Sequence, residues 1–223
     1  MSSLPRVPER TDRAIAQLVE RLRALPTRSV PRLRTARRWL SHELSGAPAS
    51  TIYALAGALG SDPTLRWVGF ELVRYHREAF GSLDAPTLAA LGDGMSHWGT
   101  VDAFARILAG PCWVRRNIAD GVVHEWARSP DRWWRRAALV STVALNTLSD
   151  GGQGDPRRTL SVCSLLVGDR DGMVVKALSW SLRSLAARDP GSADAFVKRH
   201  HDALAARVRR EVRRKLTTGR KSG

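Results

Sequence analysis

The stretch Met95–Ala109, MSHWGTVDAFARILA, is the one from which the rest of the chain can be read. Thr100 follows Gly99 and can cap a helix that runs through Val101, Phe104, Ile107 and Leu108. At about 100° of turn per residue, these four apolar side chains share one face. Asp102 and Arg106 fall together on the opposite face, and Trp98 joins them if the first turn extends back to it. A carboxylate in a first turn is favoured in its ionised form by the positive end of the helix dipole. The pattern predicts an aromatic plate, a fixed anion and an arginine directed together away from a core. A plain capped helix with one surface tryptophan has the same signature, since single exposed apolar residues are common.

The flanking sequence predicts helix after helix. Ile15, Leu18, Val19, Leu22 and Leu25 recur at helical spacing from Thr11 and stop at Pro26, after a loose arm over residues 1–10. Ser29-Val30-Pro31 opens a helix to Leu44 that carries Arg32, Arg34, Arg37 and Arg38. Residues 50–59 follow, and Ser61-Asp62-Pro63 starts a helix through Trp67, Phe70, Leu72 and Tyr75. A short helix spans Ala85–Leu91, and Gly110-Pro111 is expected to divide the central helix from one across Val114–Arg128. Residues 132–148 are apolar around most of their circumference, as an inner helix would be. The glycines of SDGGQGDP, 149–156, mark a loop; with no GK[ST] after them and no strand before, they do not make a phosphate loop. Helices follow over 157–167, 170–188 and 192–216, with an interruption near His200.

Ala and Leu dominate the apolar residues, and Val, Ile and Thr form no alternating runs. The fold class read from this is all-α. Helix pairs recur at about the forty-residue spacing of HEAT-type repeats, which predicts a superhelical solenoid with a concave basic cleft; an irregular bundle is the competing arrangement. Residues 1–216 are read as one domain and 217–223 as a basic, disordered tail.

The 223 residues carry 36 basic and 21 acidic side chains, a formal charge of +15. That balance favours a polyanionic partner, most simply nucleic acid, over an acidic small substrate. Cys112 and Cys163 form no CxxC pair, so a reducing cytoplasm suits the chain better than a disulfide framework. MSSLPRVPER lacks the apolar core of a secretory signal, and no run approaches the length of a membrane span. The six histidines show no ligand spacing such as HExxH, so neither a metal nor a cofactor is expected. His97 is read as a solvated loop residue and Cys112 as a core thiol. A monomer is expected.

A second site-like pattern lies in 170–188. Val174, Ala177, Leu178, Leu182 and Leu185 form an apolar stripe, while Trp180 falls about opposite Leu178 with Lys176 and Arg183 flanking it. An aromatic between cations suits contact with sugars, bases and phosphates. A neighbouring helix covering Trp180, with the cations reaching to water, would produce the same spacing.

WGTVD at Trp98–Asp102, WWRRAAL at Trp133–Leu139 and VKALSWSLR at Val175–Arg183 occur in that order. Together they resemble the bacterial HEAT-like-repeat DNA alkylation repair enzymes, the AlkD-type alkylpurine DNA glycosylases, from about Leu88 to Phe196. The resemblance implies that Asp102 is the functional aspartate, that Trp98 and Trp180 flank the site, and that Arg136 is the site arginine. It also implies excision of positively charged N3- or N7-alkylated purines from duplex DNA in the bacterial cytoplasm or nucleoid. Arg32, Arg34, Arg37, Arg106, Arg136, Lys176 and Arg183 are the DNA-contact candidates, with the 207–215 segment adding non-specific attraction. The alternatives are a non-catalytic HEAT-repeat scaffold for DNA or RNA and, less suited to the charge, a protein-interaction solenoid.

Overall fold

The computed structural model describes residues 4–219, and every regular element among them is helical. The chain divides into two compact units, Met1–Met95 and Ser96–Gly223. No helix among the described residues is long and apolar enough to cross a membrane.

The first unit comprises α1 (Glu9–Arg23), α2 (Val30–Glu43), α3 (Ala49–Gly60), α4 (Arg66–Tyr75), α5 (Arg77–Gly81) and α6 (Ala85–Gly92). α3 is its centre, packing against α1, α4, α5 and α6. Leu33, Leu40, Ile52, Leu55, Leu59, Phe70 and Phe80 are almost wholly removed from solvent and form its core. α4 begins later than Ser61-Asp62-Pro63 suggests. Asp62 accepts from the Thr64 amide at 2.8 Å and so closes a local turn that delays the helix. Arg32 and Arg34 stand exposed on α2. Arg37, read from sequence as a free DNA contact, is instead turned inward. Its Nε donates to Glu71 at 2.8 Å and its guanidinium lies 4.5 Å from the Tyr75 ring. Helical register places Arg37 between Leu33 and Leu40 on the buried side of α2, which is why it pairs there.

The second unit opens with α7 (Trp98–Ala103), which passes through a π-helical turn over Phe104–Ala109 into α8 (Gly110–Val114). Then come α9 (Asp120–Ala127), α10 (Arg132–Leu145), α11 (Pro156–Leu165), α12 (Gly172–Ala186), α13 (Pro190–Arg199) and α14 (Ala206–Thr218). Gly110-Pro111 therefore does not divide two helices. The backbone stays helical through Ala109 and Gly110, and the wider π turn just before Pro111 relieves the carbonyl clash and missing donor that a proline brings to a regular α-helix. α14 runs two residues beyond Leu216 and ends on Gly219 at φ 69°. Residues 220–223, the end of the expected disordered tail, lie outside the described residues.

Two rows organise this unit. α7, α10, α12 and α14 form one, each packed on the next, and α9, α11 and α13 form the other behind it. α10 is the most enclosed helix: from Arg136 to Leu145 every residue is buried. Its aromatic start packs Trp134 against Trp126 at 5.2 Å and against Phe104, edge-on, at 5.8 Å. Neighbours in the first row run parallel. Asp102 meets Arg136 while Gly110 meets Ala144, and Arg136 meets Met173 while Thr142 meets Ser181.

Bonds between distant residues share a spacing in both units. Arg23–Ser61, Arg28–Asp62 and Arg37–Glu71 in the first unit join residues 34 to 38 apart. Asp102–Arg136, His124–Ser161, Arg135–Asp169 and Thr142–Ser181 in the second join residues 34 to 39 apart. Some of these bonds join two helices and others join the connections between them.

Close backbone approach between α8 and α10 requires Gly110. A Cβ there would lie 2.7 Å from the Ala144 Cβ and 2.8 Å from the Ser141 carbonyl oxygen, and the latter belongs to a backbone that cannot swing aside. Gly110→Ala should therefore destabilise the protein by about 2 kcal/mol, although alanine gains about 1 kcal/mol of helix propensity over glycine. Thermal unfolding should show a Tm lower by about 4–8 °C; an unchanged or raised Tm would mean that the two helices are not this close.

Candidate active site

An open cleft of about 610 Å3 crosses the first row of the second unit. α7 contributes Trp98 and Asp102, and α10 contributes Arg136. α12 adds Met173, Lys176, Trp180 and Arg183, and α14 adds Arg207, Arg210, Glu211 and Arg214. Residues on helices far apart in sequence, Trp98 and Asp102 on one hand and Trp180 on the other, thus line one solvent-reachable cavity.

α7 starts one turn earlier than Thr100 suggests. His97, not Thr100, is its N-cap: the ring Nδ1 accepts from the Gly99 amide at 3.1 Å. Helical geometry therefore includes Trp98, and Trp98 and Asp102 share a face through regular i, i+4 spacing. Trp98 is 51% exposed, and the His97 ring props it at 5.1 Å. The fixed-anion pattern is real, but its arginine is not Arg106. The π turn holds more residues per revolution than an α-turn, so Arg106 is rotated off the Asp102 face. Arg106 instead pairs with Asp150 at 2.7 Å and lines no part of the cleft.

The partner of Asp102 is Arg136. Its Nε donates to Asp102 Oδ1 and its Nη2 to Oδ2, both at 2.8 Å, and its Nη1 donates to the Met173 carbonyl at 2.6 Å. The side chain of Arg136 is 7% exposed and that of Asp102 17%. Planar, two-point pairing of this kind is the strongest geometry available to a carboxylate and a guanidinium. Arg136, expected as a DNA contact, is held as the buried support of the aspartate: Asp102 and the Met173 carbonyl take three of its five N–H donors. An Asp102 without an ion pair, the arrangement expected of a residue that opposes a cation, is not what the fold builds. Both carboxylate oxygens are engaged by the fork, and each keeps a further lone pair beyond the one so used.

On α12 the apolar stripe is as read: Val174, Ala177, Leu178, Leu182 and Leu185 are buried. Trp180 is partly covered, Lys176 is exposed, and both line the cleft. Arg183 is not free on that face. It is 9% exposed, its Nε donates to the Ser179 carbonyl and hydroxyl at 3.2 Å, and burial lowers its pKa. Glu211 of α14 anchors the same corner. It accepts from the Ser179 hydroxyl at 2.6 Å and from Arg207 Nε at 2.7 Å, and lies 3.8 Å from Arg183. Burial works against its charge, but the Ser179 hydroxyl and the Arg207 and Arg183 guanidinium groups outweigh it and hold the carboxyl below the usual range.

The α14 residues were missed as site residues. Their signal was present: Val208 and Val212 are its buried residues, and Arg207, Arg210 and Arg214 recur at i, i+3 and i+7 on another face.

Neither cysteine offers a nucleophile. Cys112 is fully buried, and burial pushes the Cys163 thiol up to about 12. Among the described residues, no group of three or more His, Cys, Asp or Glu is placed to hold a metal ion.

No curated protein and no solved structure matches the chain. The family described as DNA alkylation repair enzyme matches residues 10–216, almost the whole sequence. A cleft that combines a supported carboxylate, two tryptophans and a surplus of cations is what that match covers, and the chain belongs to the DNA alkylation repair enzyme family.

Proposed function

We propose that this protein is a DNA glycosylase that hydrolyses the N-glycosidic bond of positively charged N3- or N7-alkylated purines in duplex DNA. One observation carries the reading: Trp98, Asp102 and Trp180 line a single cleft with Arg136 holding the aspartate in place. Monomeric action in a bacterial cytoplasm, and a HEAT-like organisation of residues 1–216, belong to the same proposal. The recurrent spacing of cross-helix bonds supports the latter.

Alkylation at N3 or N7 makes the base a cation and hence a good leaving group. As the bond from C1′ to the base breaks, its electron pair leaves with the purine, which departs neutral, and the positive charge passes to the deoxyribose. The Asp102 carboxylate stabilises that charge and orients the water that adds to C1′; the water's proton is released to solvent. Because both of its oxygens are paired with the guanidinium, Asp102 acts with Arg136 as a short dipole and not as a lone anion. Its field falls off faster than that of a lone anion, so the sugar must come close to Asp102. Trp98 and Trp180 bracket the sugar and favour its cationic form by their ring faces.

Asp102→Asn keeps the shape and removes the charge. It should cut the rate of base release by about 100- to 1000-fold while changing affinity for undamaged duplex little. Full activity in that variant would remove Asp102 from the mechanism and favour a non-catalytic binding scaffold.

Arg136→Lys keeps the charge and loses the two-point fork. We expect a slower single-turnover rate with duplex affinity close to that of the unaltered protein; equal losses in both would show that Arg136 serves binding instead. Trp98→Ala and Trp180→Ala should also slow excision, and least for the most labile cationic bases, which need the least help to depart.

A further inference from the structure

The cleft wall formed by α14 has no role in the chemistry above. Sequence assigns the 207–215 segment only diffuse attraction, yet the fold orders it. Around the helix axis, Val208 and Val212 point into the core, while Arg207, Arg210, Glu211 and Arg214 occupy the face that lines the cleft. Arg209 and Arg213 fall on a third face, outside the cleft lining.

The single acid on the cleft-lining face does not neutralise it. Glu211 is committed to Ser179 and Arg207, and through Ser179 ties α14 to α12 beside Trp180. Arg210 and Arg214 are exposed and have no carboxylate partner among the described residues, and Lys176 faces the same space from α12. At 1.5 Å of rise per residue, the line from Arg207 to Arg214 is about 10 Å long. That length covers about three nucleotide steps of 3.4 Å along one strand.

We infer that Arg210 and Arg214, with Lys176 opposite, form a phosphate-binding rail that seats one strand of the duplex beside the Trp98–Asp102–Trp180 site. Glu211 sets the position of the rail by docking the helix. The inference rests on the proposed glycosylase reading for the identity of the DNA, but its test does not depend on catalysis. The rail supplies binding and register, so it acts on affinity more than on the step in which the base leaves.

Two double variants separate a rail from diffuse charge. Arg210→Ala with Arg214→Ala removes two cations from the cleft face. Arg209→Ala with Arg213→Ala removes two from the same helix outside the cleft, with the same change in net charge and helix propensity. Circular dichroism and thermal unfolding of both establish that α14 remains docked. Equilibrium binding to an undamaged duplex is then measured as a function of salt. Each phosphate contact contributes about 0.9 to the slope of log K against log salt. The cleft-face variant should lose about 1.8 of slope and, from the counterion term alone, bind roughly 60-fold more weakly at about 0.1 M salt. The other variant should lose much less. Equal losses in the two variants, or no loss in either, would overturn the rail. Base release from alkylated duplex at saturating protein is the separate readout. Absence of release by the unaltered protein would overturn the glycosylase reading and leave the binding result to be judged alone.

Discussion

The two-point contact between Arg136 and Asp102 is the interaction on which the site depends. It joins α7 to α10 and, through the Met173 carbonyl, reaches the start of α12. A guanidinium this enclosed cannot be left without its acceptors, because an unpaired buried charge costs several kcal/mol. The pairing therefore fixes the order and register of three parallel helices as well as the direction of one carboxylate. The proposed chemistry uses what remains: an anion already in place, whose surroundings need little rearrangement as positive charge grows on the sugar.

Around that contact the second unit is assembled from polar pins between successive helix pairs. Thr142 and Ser181 meet at 2.6 Å in the dry interior, Arg135 holds Asp169 at 2.8 Å, and Glu211 brings α14 onto Ser179. Apolar burial alone would allow neighbouring helices to slide by a turn, since leucine and alanine surfaces are permissive. Buried hydroxyl and ionic pairs penalise such a slip, because each shifted helix would strand a donor or acceptor. Such pins account for the sharing of one cleft by residues on separate helices.

Much of this was legible in the sequence. Periodicity gave most of the helices, including the enclosed one, which ends at Leu145 and not at 148, while the helix expected across Val114–Arg128 starts only at Asp120; spacing gave the apolar stripe of α12 with Trp180 off it. The pairing of Trp98 with Asp102 was legible as i, i+4 spacing. What escaped has definite physical causes. A π turn cannot be seen by a rule that assumes 3.6 residues per revolution, so Arg106 was placed beside Asp102 and Pro111 was read as a break. Partners from other helices are invisible to local spacing, and for that reason Arg37, Arg136 and Arg183 looked free when Glu71, Asp102 and Ser179 engage them. The α14 ridge was a different failure. Its register was readable, but its sheer charge density suggested only non-specific attraction and masked the alternation of faces.

The central claim is that the cleft breaks a bond and does not merely hold DNA. The most direct measurement is the appearance of free base from a duplex carrying one N7- or N3-alkylated purine, with the protein in excess and a single turnover followed. The account predicts that neutral alkylpurine is released together with an abasic site in the strand, and that the unmodified purines remain attached. Tight binding of the same duplex with the alkylated base still attached would contradict it.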